Sequence, residues 1–190
     1  MRKVHFLVVL TSLLLAFAGC NDKKTNRMVP EYNVQDSAWV EDTTVYGRCG
    51  EGTAMHTLEL ITDDGDTVSY LLGGADDEAD VQGGLLAGDR LAVIAGINAE
   101  GEDVAFKVLN LTTLQGKWTS ISRQFEIQEG GAVVSDVNER HPYTEWKIVN
   151  GKLVLSSDTF EVYSLGPDSL LLENDKGIFA YKRFLGQKTK

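Results

Sequence analysis

The side chain with the most definite chemistry is Cys20, which closes the run Leu13-Leu-Leu-Ala-Phe-Ala-Gly-Cys20. Small residues at Ala18 and Gly19 in front of a thiol are what a bacterial lipoprotein signal peptidase needs, and the cysteine then becomes the lipid-modified first residue. Arg2 and Lys3 supply the positive leader, and Val4 to Phe17 an apolar stretch interrupted by His5, Thr11 and Ser12. That stretch falls short of the roughly 20 residues a permanent membrane helix needs. Phe17 departs from the Leu, Val or Ile usual at its slot. Each buried acyl methylene contributes about 0.8 kcal/mol, so palmitate-type acylation of Cys20 holds the chain on its membrane without help from the fold.

The remaining reactive types are sparse. Lipidation leaves Cys49 as the thiol of the mature chain, which excludes an intramolecular disulfide and a C-x-x-C metal site. Arg48 beside it favours a thiolate, whereas a strand position makes it a small buried hydrophobe. Asp76, Asp77, Glu78 and Asp80 offer oxygens without the D-x-D-x-D-G ladder of a calcium loop, and read as a solvated acidic loop. Asp63, Asp64 and Asp66 are turn residues by the same reasoning. His56 and His141 are isolated from each other and from a partner base. No Gly-x-Ser-x-Gly or Ser-x-x-Lys activates a serine, and Gly83-Gly84 does not open a phosphate loop. The expectation is a noncatalytic protein, with no catalytic residue, metal or cofactor assigned.

Loss of Arg2 and Lys3 with the leader moves the formal charge from −10 to −12. Its distribution is uneven. From Asp36 to Val104 there are 16 acidic residues against Arg48 and Arg90, while from Ala105 to Lys190 there are 11 basic and 10 acidic. Such a field repels phosphate backbones and anionic headgroups, which argues against nucleic acid as a partner.

Residues 1–19 therefore read as the signal peptide and 20–38 as the lipidated cysteine with a flexible tether, since Asn21 to Gln35 lacks apolar periodicity. Beyond it, short alternating apolar runs broken by Gly, Asp and Asn predict an all-β chain without a core helix. In 39–113, strands are expected at Thr44 to Arg48, Met55 to Thr62, Thr67 to Leu72, Arg90 to Gly96 and Val104 to Leu111. Asp63-Asp-Gly-Asp66 is a hairpin turn, and Ala75 to Gly84 breaks the pattern. Five strands, the long connection after the third, and Gly88-Asp89 before the fourth resemble an OB-fold barrel. Tyr46 and Tyr70 would give such a surface sparse stacking groups for a carbohydrate.

After the junction Thr112-Thr-Leu-Gln115, eight short strands between Lys117 and Arg183 predict an antiparallel barrel over 114–185, with 186–190 as a tail. They are expected at Lys117 to Ile121, Gln124 to Gln128, Ala132 to Asp136, Thr144 to Val149, Leu153 to Ser156, Thr159 to Leu165, Ser169 to Glu173 and Ile178 to Arg183. Alternation points Phe125, Ile127, Trp146, Ile148, Leu153, Leu155, Phe160, Val162, Leu170, Leu172, Phe179 and Tyr181 inward. Gly116-x-Trp118 on the first strand and Arg183 on the last resemble the bacterial lipocalin-like lipoproteins. The resemblance implies that Gly116, Trp118 and Arg183 close the barrel, and that Phe125, Trp146, Phe160 and Tyr181 are candidates to face a ligand.

Two readings stay open. A carrier of a small apolar ligand needs a cavity of about 300 Å³ or more. A structural or regulatory lipoprotein that docks on another envelope protein through the OB-like part needs a filled core and an exposed patch. Either would sit on the outer membrane of a Gram-negative envelope, with Asn21-Asp22 leaving the leaflet open.

Overall fold

Alternation in the sequence becomes alternation of burial in the computed structural model, which describes residues 41–73, 78–136 and 139–186. Cys20, the tether, Asp76 and Asp77 lie outside the described residues. Glu41–Lys190 form one unit, which among the described residues is all-β apart from two single turns of helix.

The first barrel is built from β1 (Val45–Cys49), β2 (Thr57–Thr62), β3 (Thr67–Leu72), a short β4 (Asp80–Gln82), β5 (Arg90–Ile97) and β6 (Asp103–Asn110). The sheet runs β3-β2-β1-β5-β6, and β3 pairs in parallel with β6 through Leu71↔Val104 and Leu72↔Ala105. That pairing closes five strands on themselves around Leu58, Leu60, Leu91, Val93, Ala105 and Val108. The predicted turn joins β2 to β3, with Gly65 at φ 92°, a conformation that an L side chain resists.

The expected break at Ala75 to Gly84 needs correcting. Asp80–Gln82 lies parallel to β6, in register with Lys107 to Leu109. A three-residue edge strand is too short for a period-2 pattern, and the Lys107 ammonium, 3.3 Å from Asp80, holds its acidic end. The last predicted strand of this half also ends earlier, because Asn110 turns the chain into a helix. Its side chain accepts from the Thr113 N–H at 2.9 Å and caps α1 (Leu111–Leu114). The junction is thus one helical turn whose Leu111 and Leu114 are buried. Four residues cannot display a 3.6-residue stripe, which is why the sequence reads there as a linker.

The second barrel comprises β7 (Gly116–Thr119), β8 (Gln124–Ile127), β9 (Val133–Ser135), β10 (Trp146–Val149), β11 (Lys152–Leu155), β12 (Asp158–Leu165), β13 (Ser169–Asn174) and β14 (Gly177–Arg183). These are the eight expected strands, in the order β10-β11-β12-β13-β14-β7-β8-β9. The first strand stops at Thr119 instead of Ile121, and the two ends of the sheet meet at the bridge Ala132↔Glu145, so the barrel is nearly closed. Asn150-Gly151, with φ of 47° and 74°, forms the tight turn between β10 and β11, where positive φ at both central residues matches the twist of the hairpin.

Ala92, Leu109, Leu111 and Leu114 share a core with the inward side chains of the second barrel. Burial of each leucine contributes about 1.5–3 kcal/mol. Polar ties reinforce the join: Asn150 Oδ1 accepts from the Thr43 N–H at 2.9 Å, and the Asn150 N–H donates to Asp42 at 3.0 Å. Gly83 N–H donates to Leu165 O at 3.0 Å, and Lys107 forms an ion pair with Glu161.

Candidate functional site

The residues expected at the barrel seam come together. β14 meets β7 through Lys182↔Thr119 and Arg183↔Trp118, and the guanidinium lies 4.2 Å from the centre of the Trp118 ring. Arg183 donates to Gln115 O at 2.7 Å and to the carbonyls of Thr113 and Pro167. The Trp118 indole N–H donates to Leu114 O at 2.8 Å. One cation therefore spans the seam and also serves carbonyls at the end of α1. Gly116 is tied to this geometry: a Cβ there would stand 2.4 Å from Arg183 Nη1, and its φ is 124°. Desolvation by burial moves the Arg183 pKa down from its ordinary value, although the carbonyl acceptors suit the charged form.

Behind the seam the interior is filled. Trp118, Phe125, Leu153, Leu155, Leu170 and Leu172 are fully buried. Phe125 stands edge-on to Tyr143 and to Tyr181, with centroids 5.5 and 5.0 Å apart, and Phe160 makes the same kind of contact with Phe179 at 5.8 Å. Phe160 and Tyr181 reach a recess of ≈ 210 Å³ beside Arg123 and Lys176. This is smaller than the roughly 300–1,000 Å³ usual for small-molecule sites. Arg123 lies 4.4 Å over the Tyr143 ring and pairs with Glu139 at 3.3 Å. Burial pushes the Tyr181 hydroxyl up to about 12, so it is neutral at any physiological pH.

Trp146 packs against the rim of this core, as alternation expects, and also reaches the surface. It is half-buried at the start of β10, its indole N–H donates to Gln128 O at 2.7 Å, and it lines a cleft of ≈ 640 Å³ between the two barrels. The first barrel contributes Tyr46, Arg48 and Arg90, and the second Trp146, Lys147 and the Glu129-Gly-Gly131 turn, with Leu111 of α1 at the join. Tyr46 donates to Ile148 O at 3.0 Å, and Arg90 lies 5.7 Å from the centre of the Tyr46 ring. Both terminal nitrogens of Arg90 bond Asp63, which holds the Asp63 carboxyl below its usual range and raises Arg90. Burial, and then the charge of Asp42, raise the Tyr46 hydroxyl.

The four expected ligand-facing aromatics are therefore divided: Phe125 lies in the core, Phe160 and Tyr181 at the small recess, and Trp146 on the cleft. Residue spacing missed Lys147, and it offered Tyr46 only as a sparse stacking group of the first barrel. Arg48 and Arg90 left a trace, as the two cations of an acidic half.

The other chemically capable groups stay apart. Cys49 is buried, and its thiol lies 3.3 Å from Thr53 Oγ1. His56 and His141 are exposed in separate loops. Among the described residues no group of three or more His, Cys, Asp or Glu is placed to hold a metal, and no helix is long and apolar enough to cross a membrane. Phe106 joins Tyr46 and Tyr70 as an aromatic of the first barrel, lying exposed over Gly96.

An eight-stranded, nearly closed antiparallel barrel with this seam is the architecture of a lipocalin-like domain. In agreement, the family model described as Lipocalin-like matches residues 110–184, starting at the residue that caps α1. No curated protein and no solved structure matches the chain.

Proposed function

We propose that this protein is a noncatalytic, lipid-anchored binding protein of the Gram-negative envelope, held by acylated Cys20. Its lipocalin-like barrel joins an OB-like barrel to form a cleft for a small ligand. The observation that carries this reading is the contrast between a filled barrel interior and the ≈ 640 Å³ cleft beside it, whose walls come from both barrels. The volume falls in the range of small-molecule sites. The strand order of the first barrel, with β3 parallel to β6, supports the OB-like assignment. The signal-like leader ending at Cys20 supports the anchor.

A second reading is docking on another envelope protein. It is favoured by the exposed Phe106 and Ile97, which flank Gly96 on the first barrel. Native mass spectrometry of residues 21–190, after incubation with an extract of the native envelope, separates the two. A discrete small-molecule mass supports the cleft reading. A mass matching a second protein moves the weight to docking, and a bare monomer counts against the cleft.

A further inference from the structure

The cleft gathers the cations of a strongly acidic half. Among 16 acidic residues from Asp36 to Val104 stand Arg48 and Arg90, and both reach the cleft wall. Lys147 comes to the same wall from the second barrel, and among the described lining residues Glu129 is the acid. Asp63 balances Arg90 through two bonds and acts on Arg48 through space, while the Arg48 side chain itself donates to a neutral acceptor, Gly88 O, at 3.0 Å. Asp42 acts on Lys147 through space. A negative field repels anions over most of the first barrel, and the three cations on the cleft walls offset it locally.

The aromatic groups on the same wall have their polar atoms already engaged. The Trp146 N–H is held by Gln128 O and the Tyr46 hydroxyl by Ile148 O, so what these partly buried rings present to the cleft is apolar surface. We propose that the cleft selects a small amphipathic organic anion. Its carboxylate or phosphate meets Arg48 and Lys147, and its apolar body lies against Trp146 and Tyr46. This rests on the reading of the cleft as the ligand site.

A matched pair of fluorescent probes tests charge apart from binding. Anilinonaphthalene sulfonate carries an anion standing in for the carboxylate or phosphate, and N-phenyl-1-naphthylamine has the same rings without it. Both are titrated into the full mature chain made without acyl groups. The sulfonate probe binds more tightly than the neutral one, and added salt weakens it. R48Q and K147Q each weaken the sulfonate probe by about threefold to tenfold, as expected for one charge-assisted bond, and leave the neutral probe unchanged. E129Q, which removes the acid from the wall, tightens the sulfonate probe, a gain that misfolding does not produce. Equal affinity for both probes, unchanged by all three substitutions, overturns the anion preference while keeping the cleft. Absence of binding by either probe overturns the cleft itself. Displacement of the sulfonate probe by laurate identifies a lipid-derived anion, and displacement by indole-3-acetate a soluble aromatic one. Failure of both at millimolar concentration overturns the proposal.

Discussion

The interior of the second barrel and the cleft beside it are built from the same kinds of residue, and they differ in what has been left over. In the interior Trp118 is fully buried under Arg183, and the guanidinium is satisfied by three main-chain carbonyls. In the cleft Trp146 is half-buried, and Arg48 and Lys147 are exposed. The tryptophan and the arginine serve closure in one place, and in the other they remain available. A lipocalin-like barrel can thus pack its own centre shut while a neighbouring barrel supplies a second wall for a cleft outside it.

The largest effect that sharpens this contrast comes from exchanging the two tryptophans. Trp118→Ala removes a fully buried ring and is expected to cost about 3–5 kcal/mol. Trp146→Ala should cost about 1–2 kcal/mol, because its ring is only partly buried, while removing most ligand uptake. Denaturant unfolding with probe titration measures both, and equal stability losses would erase the distinction.

Gly116→Ala should follow in size. The added methyl meets Arg183 at a positive φ and is expected to cost about 1–3 kcal/mol. A melting temperature unchanged from the parent would show that Arg183 is free to move aside, and that the seam does not depend on the glycine.

The join of the barrels gives a smaller effect with a pH sign. Burial pushes the Asp42 carboxyl up, but hydrogen bonds from the Thr44 side chain, the Asn150 N–H and the Thr44 N–H outweigh it and hold the group below 3.8. A carboxyl depressed on folding stabilises above its unfolded value, and that stability is lost as the pH falls through the folded one. Asp42→Ala should cost about 1 kcal/mol at neutral pH, and the difference from the parent should fade below 3.8. A gap that persists in acid would assign the effect to packing alone.

The least effect at neutral pH belongs to Tyr181. Its hydroxyl is raised from 10.0 to about 12, so the stability tied to its neutral form is complete below 10 and declines as the pH rises toward 12. Tyrosinate absorbance followed beside circular dichroism should show its ionisation coinciding with unfolding. Ionisation near 10 in a folded barrel would place Tyr181 in water and enlarge the recess.

Much of this fold was legible in the sequence, because β-strands write their burial into every second residue. Phe125 and Ile127, Leu153 and Leu155, and Leu170 and Leu172 are buried as alternation requires. Gly116, Trp118 and Arg183 were legible because a short motif at each end of the barrel marks its seam. Asp80–Gln82 and Leu111–Leu114 were not, since three or four residues hold no period. The cleft was hardest to read. Its walls lie at Tyr46 to Arg48, Arg90, Glu129 to Gly131 and Trp146 to Ile148, and only folding makes these segments neighbours. Its traces were Trp146, a candidate ligand-facing aromatic, and the scarcity of cations from Asp36 to Val104, which becomes informative once both cations are found on one wall.

The claim that the cleft, and not the barrel interior, takes the ligand is tested most directly by the indole N–H resonances of Trp118 and Trp146 during a titration with anilinonaphthalene sulfonate. The account predicts a saturable shift of the Trp146 resonance while that of Trp118, bonded to Leu114 O inside the barrel, stays in place. A shift of Trp118 with Trp146 unmoved would put the ligand inside the barrel and contradict it.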